Sequence, residues 1–179
     1  MRVESVAVEY ANPLVNRYLN DFQQVGEFYV HNPYEAAGYR ERCRLVREHY
    51  QTDREALVRI LTAYNRHLGA GDKTLANLEL LKQQDTVLVV TGQQAGVMTG
   101  PLYTIHKAIT AIQLAARQTR ELGVPVIPAF WVAAEDHDFA EIDHIHIINR
   151  EQQLVKLRLD EQPAGKFSVG HMPVNEAVF

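Results

Sequence analysis

VLVVTGQQAGVMTGPLYTIHKA, residues 87–108, decides the fold of this 179-residue chain. Val87–Val90 is a continuous aliphatic run, which is typical of a strand covered on both faces, and it stops at Thr91 and Gly92. Glycines 92, 96 and 100 follow at a spacing of four, and Pro101 is well suited to the first position of a helix. The stretch predicts a strand, a glycine-rich turn and a helix in succession.

The helix predicted from Pro101 ends near Gly123, with Pro125 beyond it. A second apolar run, Val126–Ala134, then stops abruptly at EDHD, residues 135–138. Two buried strands joined by a helix of this length predict a right-handed βαβ unit with parallel strands. Five residues at helical spacing give this helix one apolar face: Leu102, Ile105, Ile109, Ile112 and Ala116.

Ligands of parallel α/β sheets bind beyond the carboxyl ends of the strands, so TGQQAG (91–96) and EDHD are expected to face one crevice. Glycines there would let the backbone approach a ligand, and the helix N-terminus would offer N–H groups to a phosphate or carboxylate. The glycine spacing matches neither standard phosphate loop. A turn that merely reverses the chain stays open as an alternative, as does a solvated role for the polar helix face of Tyr103, His106, Lys107 and Thr110.

The chain before residue 85 has helical periodicity, with helices predicted over 34–50, 53–68 and 73–83. Asp53 is a plausible N-cap, and Cys43 lies on an apolar stripe that indicates a packed core thiol. A hairpin is predicted over 145–159. We therefore divide the chain into an N-terminal helical segment, 1–84, and the first part of an α/β core with a hairpin insertion, 85–179.

Composition excludes several classes of protein. The formal net charge is −4 and no basic run stands out, so nucleic acid is not expected as a partner. A single cysteine cannot form an internal disulfide, and neither a signal peptide nor an apolar stretch near 18 residues is present. The sequence predicts a cytoplasmic protein without a membrane partner.

EDHDFAEIDHIHI, residues 135–147, supports a rival interpretation. Glu135–Asp138, His144 and His146 could serve a metal-dependent phosphoesterase. Against it, Asp143, His144 and His146 alternate with isoleucines, which favours the solvated face of a strand, and EDHD could be an exposed acidic loop. A noncatalytic nucleotide-binding module is a third possibility.

TGQQAGVMTGPLYTIHKA together with PAFWVAAEDHDFAEIDH (128–144) resembles the cysteine-adding enzymes of bacillithiol biosynthesis, the BshC family. Both motifs are long and contiguous, and the resemblance covers nearly all of the chain, which looks like the N-terminal portion of a longer protein. It implies a Rossmann-like core of the nucleotidyltransferase type, here incomplete at the C-terminus, and a homodimer made through a C-terminal coiled coil absent from this chain.

The resemblance also implies a ligase that joins the cysteine carboxyl group to the amino group of glucosaminyl malate in an amide bond. ATP with magnesium is the expected cofactor, activating the carboxyl group as an acyl adenylate or an acyl phosphate. No residue is assigned as a protein ligand of a metal, and these 179 residues alone are expected to be inactive. The crevice residues that the resemblance implies are Thr91, Gly92, Gln93, Gln94, Gly100, Tyr103, Lys107, Glu135, Asp136, His137 and Asp138.

Residue chemistry suggests roles for some of these side chains. His137 is the best candidate base for the amine proton, because its unperturbed pKa is near ~6.5 and Asp136 and Asp138 would orient it. Lys107 or the helix N-terminus could neutralise charge that develops on phosphate. We therefore predict His137, Asp136, Asp138 and Lys107 as catalytic, and the other crevice residues as substrate or nucleotide binding.

Overall fold

The computed structural model describes residues 9–159, 165 and 168–172. The chain forms two compact units, Met1–Thr52 and Asp53–Phe179. All of the predicted crevice residues belong to the second unit. Within the described residues, no helix combines the length and the apolar character needed to cross a membrane.

Among its described residues the first unit has two α-helices, α1 (Pro13–Asn20) and α2 (Ala36–His49), with two short 3₁₀ helices between them, Phe22–Gln24 and Gly26–Phe28. The Asn12 side chain caps α1 by accepting hydrogen bonds from two backbone N–H groups. Cys43 is buried on α2, which confirms its predicted packing role. Val25 is buried as well, and the rings of Tyr18, Phe22, Tyr29 and Tyr34 form a partly exposed aromatic cluster in which Tyr18 and Tyr29 are centred 5.0 Å apart.

The second unit begins with α3 (Arg54–His67) and α4 (Asp72–Leu80). Asp53 caps α3 as predicted, accepting from the N–H of Ala56 at 3.0 Å. The two helices share a core with the following sheet, because Val58, Leu78 and Leu81 pack with Ile127. The division of the chain into domains at residue 84 stays a prediction, but α3 and α4 share this core with the sheet.

The strand–helix–strand prediction is confirmed by β1 (Val87–Gln94), α5 (Leu102–Leu122) and β2 (Val126–Ala133). The strands are parallel, with Val87 opposite Val126 and Gln94 opposite Ala133. β1 was expected to stop at Thr91, yet it continues through Gln94. The two glutamines therefore end a strand, since pairing with β2 holds them in extended conformation.

The apolar stripe of α5 is not the face that is buried. Its buried positions are Ala111, Ala115 and Gln118, whereas its apolar stripe is exposed. Small side chains let the helix axis lie close to the sheet, so the large residues turn outward. The exposed stripe consists of Leu102, Ile105, Ile109 and Ile112.

The first strand was predicted to be covered on both faces, but the described part of the chain leaves much of one face exposed. α3 and α4 cover the face of the sheet at Ile127, near the beginning of β2. Further along that face Val90 and Trp131 are 62% and 63% exposed, and Leu88 is exposed as well. Continuous hydrophobic sequence therefore overstated how much of the sheet is covered within the described part of the chain.

A short helix, α6 (Phe139–Ile142), connects the sheet to the predicted hairpin. The hairpin is confirmed as β3 (His144–Ile148) paired antiparallel with β4 (Leu154–Arg158), and His144 lies opposite Arg158. α6 is only one turn long, so it keeps the hairpin close to the end of β2.

Candidate functional site

The loop between β1 and α5 has a strained backbone. Met98, Thr99 and Gly100 have φ values of 48°, 75° and 70°, in the left-handed region that favours glycine. Thr99 is β-branched, so the left-handed conformation costs it more free energy than it costs the other two residues. Strain of this kind persists only where the surrounding structure enforces it, and it is concentrated at binding sites.

Two of the three regularly spaced glycines make room for protein backbone. A Cβ on Gly92 would lie 2.6 Å from the carbonyl oxygen of Trp131 on the paired strand. A Cβ on Gly96 would lie 2.8 Å from the Cα of Gly100, where the loop closes on itself. The expected close approach of a ligand is therefore not the only reason for these glycines.

The N-terminus of α5 is open to an anion. Pro101 is the N-cap, one position before its predicted place, and no side chain caps the helix. Thr104 Oγ1, in the first turn, is buried and has no hydrogen-bond partner among the described residues. Backbone N–H groups and the helix dipole at this point favour negative charge.

A continuous chain of side-chain hydrogen bonds crosses the carboxyl ends of the two strands. Lys107 Nζ donates to Gln93 Oε1 at 2.9 Å and to the carbonyl oxygen of Gly92 at 3.2 Å. Gln93 Nε2 donates to Gln94 Oε1 at 2.5 Å. Gln94 Nε2 then donates to Glu141 Oε2 at 2.8 Å and to Asp136 Oδ2 at 3.4 Å. We call these five side chains the amide relay.

The ends of the amide relay fix the orientation of both amides. Lysine can only donate and ionised carboxylates can only accept, so each glutamine turns its oxygen toward Lys107 and its nitrogen toward the carboxylates. Tyr103 supports the cationic end, with its ring centroid 5.2 Å from Lys107 Nζ and its hydroxyl accepting from Gln93 Nε2 at 3.2 Å. The relay keeps a cation and two carboxylates apart at one edge of the sheet.

The EDHD loop folds around Asp136. Its Oδ1 accepts from the backbone N–H groups of His137 at 2.6 Å and Asp138 at 3.3 Å. These bonds, followed by the one from Gln94, lower the pKa of Asp136 and keep it ionised. The His137 ring is 61% exposed, with Nδ1 3.5 Å from Asp136 Oδ1. Asp136 is thus the organising residue of the loop, and His137 lies at its solvent edge.

A later segment of the chain returns to hold this loop. Val169 N–H donates to the carbonyl oxygen of Asp136 at 2.8 Å, and Gly170 N–H donates to that of Ala134 at 2.8 Å. Ser168 Oγ also donates to the Ala134 carbonyl oxygen. Sequence reasoning missed this support, because backbone contacts between segments more than 30 residues apart leave no local pattern.

Asp143 was expected on the solvated face of a strand, but its side chain is 1% exposed. It accepts from Arg158 Nε at 2.6 Å and pairs with His144 Nδ1 at 2.7 Å. Burial raises the pKa of Asp143, but these two partners outweigh burial and the net shift is downward. Asp143 therefore fastens the hairpin to α6.

The ring of His146 stacks edge-on against that of His144, with centroids 5.3 Å apart. Nowhere in the described ranges do three or more histidine, cysteine, aspartate or glutamate side chains form a group that could hold a metal ion. The arrangement of these residues thus gives the metal-dependent phosphoesterase no support in that part of the chain.

The structure brings together five of the predicted site residues: Gln93, Gln94, Tyr103, Lys107 and Asp136. Thr91 and Gly92 lie in β1 just before them, and Gly100 lies in the loop beside Thr104. Glu135, His137 and Asp138 flank Asp136, outside the amide relay. Glu141 was missed as a site residue, and its only sequence signal is an acidic side chain shortly after EDHD.

The described part of the second unit is an α/β fold with polar side chains gathered at the carboxyl ends of two parallel strands. The sequence model of one family, "Bacillithiol biosynthesis BshC, N-terminal Rossmann-like domain", matches residues 1–179. The chain belongs to this family, which confirms the resemblance read from the two motifs.

Curated relatives carry the name "Putative cysteine ligase BshC". The protein from Desulforamulus reducens is 44% identical over 178 residues, which cover 97% of this chain and 32% of the relative. The protein from Geobacillus sp. strain WCH70 is 35% identical over 178 residues, which cover 99% of this chain and 32% of the relative. The protein from Geobacillus kaustophilus is 57% identical over 96 residues, which cover 54% of this chain and 18% of the relative. The chain thus spans at most about a third of the length of these relatives.

Proposed function

We propose that the protein to which this chain belongs is a cysteine ligase of bacillithiol biosynthesis, which joins cysteine to glucosaminyl malate through an amide bond. The observation that carries the proposal is the amide relay, which holds Lys107 apart from Asp136 and Glu141 at the carboxyl ends of β1 and β2. Family membership and the names of the relatives support the same reaction.

ATP fits the polar groups at the start of α5. Among the described residues, no side chain caps this helix N-terminus and the buried Thr104 hydroxyl has no hydrogen-bond partner. Together with the nearby Lys107, these groups suit an anion of high charge. ATP with magnesium would supply activation of the cysteine carboxyl group, whose own oxygen is a poor leaving group. Thr91, Gly92 and Gly100 would line this part of the crevice.

The remaining steps belong to the protein's side chains. The amine nitrogen of glucosaminyl malate forms a bond to the carboxyl carbon, the bond from that carbon to the activated oxygen breaks, and the amine loses a proton. His137 takes that proton, oriented by Asp136. Lys107 stabilises negative charge on the departing group, while Glu135 and Asp138 bind substrate or tune His137.

The wider organisation follows from the same proposal. Residues 1–84 form a helical segment and 85–179 the first part of the catalytic core, with further core elements in the rest of the protein. The complete enzyme works in the cytoplasm as a homodimer joined by a coiled coil that this chain does not include. The 179-residue chain alone does not form the amide.

The test is an assay of the full-length protein with cysteine, glucosaminyl malate and ATP, with products and released nucleotide identified by mass spectrometry. We expect a cysteinyl amide in step with nucleotide consumption, and none when ATP is omitted. Release of phosphate from a monoester without cysteine would instead identify a phosphoesterase. ATP binding without turnover would identify a noncatalytic module.

A further inference from the structure

The charged side chains of the amide relay are not paired with one another. Among the described residues Lys107 bonds to the Gly92 carbonyl oxygen and the Gln93 amide and makes no ion pair. Glu141 accepts only from the Gln94 amide in the same part of the chain. Two neutral amides in series separate the cation from the carboxylates. A site built this way presents both signs of charge to a ligand.

We infer that the crevice recognises the zwitterionic end of an α-amino acid, with Asp136 and Glu141 holding the ammonium group and Lys107 facing the carboxylate. The inference rests on the proposed function and deepens it, because it assigns the two charged groups of the amino-acid substrate to opposite ends of the relay. It also makes Glu141 a residue that determines specificity.

The protein's own atoms show which ligand groups each end of the relay can hold. The nitrogen Gln94 Nε2 lies within 2.8 Å of Glu141 Oε2 and 3.4 Å of Asp136 Oδ2, so the two carboxylates can share one nitrogen donor. The oxygen Gln93 Oε1 lies 2.9 Å from Lys107 Nζ, where a carboxylate oxygen would also be held. An ammonium group has three N–H donors and a full charge, so it competes for these acceptors more strongly than an amide does.

This assignment separates the passive end of the substrate from the reacting end. The ammonium group keeps all its bonds during amide formation, and its contacts with Glu141 and Asp136 serve binding alone. The carboxyl group, which reacts, is directed toward Lys107 and the start of α5. An acid that lacks the ammonium group would leave two carboxylates without a cation and would therefore bind less tightly.

The experiment is calorimetric titration of the full-length protein with L-cysteine and with 3-mercaptopropionate, which has the same thiol and carboxylate but no ammonium group. We expect wild type to bind cysteine at least about tenfold more tightly. Glu141→Gln should remove most of that preference by weakening cysteine binding alone. Glu151→Gln is the matched control, with the same substitution at an exposed turn position of the hairpin. This variant should keep the preference for cysteine. Equal melting temperatures would show that all three proteins are folded.

Equal affinity of wild type for the two thiols, or equal weakening of both by Glu141→Gln, would overturn the inference. If Glu141→Gln leaves cysteine binding unchanged while the wild type forms the amide, the inference fails and the proposed function stands. If the predicted preference is found but no amide forms with any nucleotide, the proposed function fails and amino-acid recognition stands.

Discussion

Gly92 connects the sequence motif to the geometry of the sheet. Its missing side chain accommodates the Trp131 carbonyl oxygen on the neighbouring strand, at a point where both strands approach the crevice. A β-carbon there would push β1 and β2 apart just before the two glutamines. The residue is therefore needed for folding as well as for the shape of the site.

Replacing Gly92 with alanine should lower the free energy of unfolding by about 1–3 kcal/mol, because backbone must move to admit the new methyl group. Chemical denaturation measures the effect. Gly71→Ala is the matched control in the same unit, since its β-carbon would meet nothing within 4 Å. Gly71 is the N-cap of α4, where alanine is less favourable than glycine, so this variant should lose no more than about 0.5–1 kcal/mol. Equal stability of the two variants would refute the steric role of Gly92.

His137 and His144 allow a second prediction at this scale. His137→Gln keeps hydrogen-bonding ability but removes a base that works near neutral pH, so turnover of the full-length protein should fall by roughly 10² or more. Cysteine binding should be nearly unchanged. His144→Gln, at a histidine held by Asp143, should lower stability and leave turnover nearly intact. If His144→Gln lowered turnover and His137→Gln did not, His144 would be the base instead of His137.

Single residues were predicted best where their chemistry depends on position along a strand. The glutamines and EDHD could be placed at one edge because parallel strands end together. Glu141 and the support from Val169 and Gly170 could not be predicted, because they depend on how α6 and a distant segment fold back. Cys43 was assigned correctly from the apolar stripe of its helix.

Among the structural elements, the hairpin is held to α6 by the buried carboxylate of Asp143. It receives Arg158 from β4 and His144 from β3, and its backbone carbonyl accepts from the N–H of Leu159. A buried carboxylate with two charged or chargeable partners stabilises the fold only while it is ionised.

Asp143→Asn should lower the free energy of unfolding by about 1–3 kcal/mol at pH 7, because a charged hydrogen-bond acceptor is lost from a buried position. The folded-state pKa of Asp143 lies below its ordinary value, so the stabilisation is complete above about pH 4 and is lost as the pH falls through the folded pKa. Unfolding curves measured from pH 7 downward should thus converge for wild type and variant. If the free energies of unfolding of wild type and Asp143→Asn differed by a constant amount down to the lowest pH, the ionised carboxylate would not be the source of the stabilisation. Glu151→Gln should have the same free energy of unfolding as wild type.

The sequence predicts the order and type of the elements better than it predicts their orientation. Periodicity located α2 to α5 and both strands of the parallel sheet, since apolar spacing follows the geometry of each element. It did not reveal which face of α5 is buried, because large aliphatic residues are the usual core signal and the buried face here is formed by alanines and Gln118. A hydrophobic stripe indicates that something covers it, without saying which neighbour does.

Over the whole molecule, the second unit carries apolar surface on both sides of the sheet. Val90 and Trp131 are exposed on one face, and the outward stripe of α5 is exposed beyond the other. Contiguous apolar surface of this kind marks an interaction site or favours aggregation. Because the relatives are about three times as long, we propose that the rest of the protein covers these surfaces.

Residues 1–179 expressed alone should therefore self-associate or depend on a segment from the rest of the protein, and they should not form the amide. Light scattering and an activity assay beside the full-length protein would check both parts. The isolated chain should regain a single size when the remaining part of the protein is supplied in trans. A monodisperse 179-residue protein with the activity of the full-length enzyme would show that these surfaces need no cover.

If ligation takes place at the carboxyl ends of β1 and β2, as proposed, Lys107→Met in the full-length protein should lower kcat/KM for amide formation by roughly 10² or more, because an electrostatic contact to developing charge is lost. The melting temperature should be unchanged. Lys156→Met, an exposed lysine on β4, is the control and should behave as wild type. Full activity of Lys107→Met would show that the reaction takes place elsewhere in the protein.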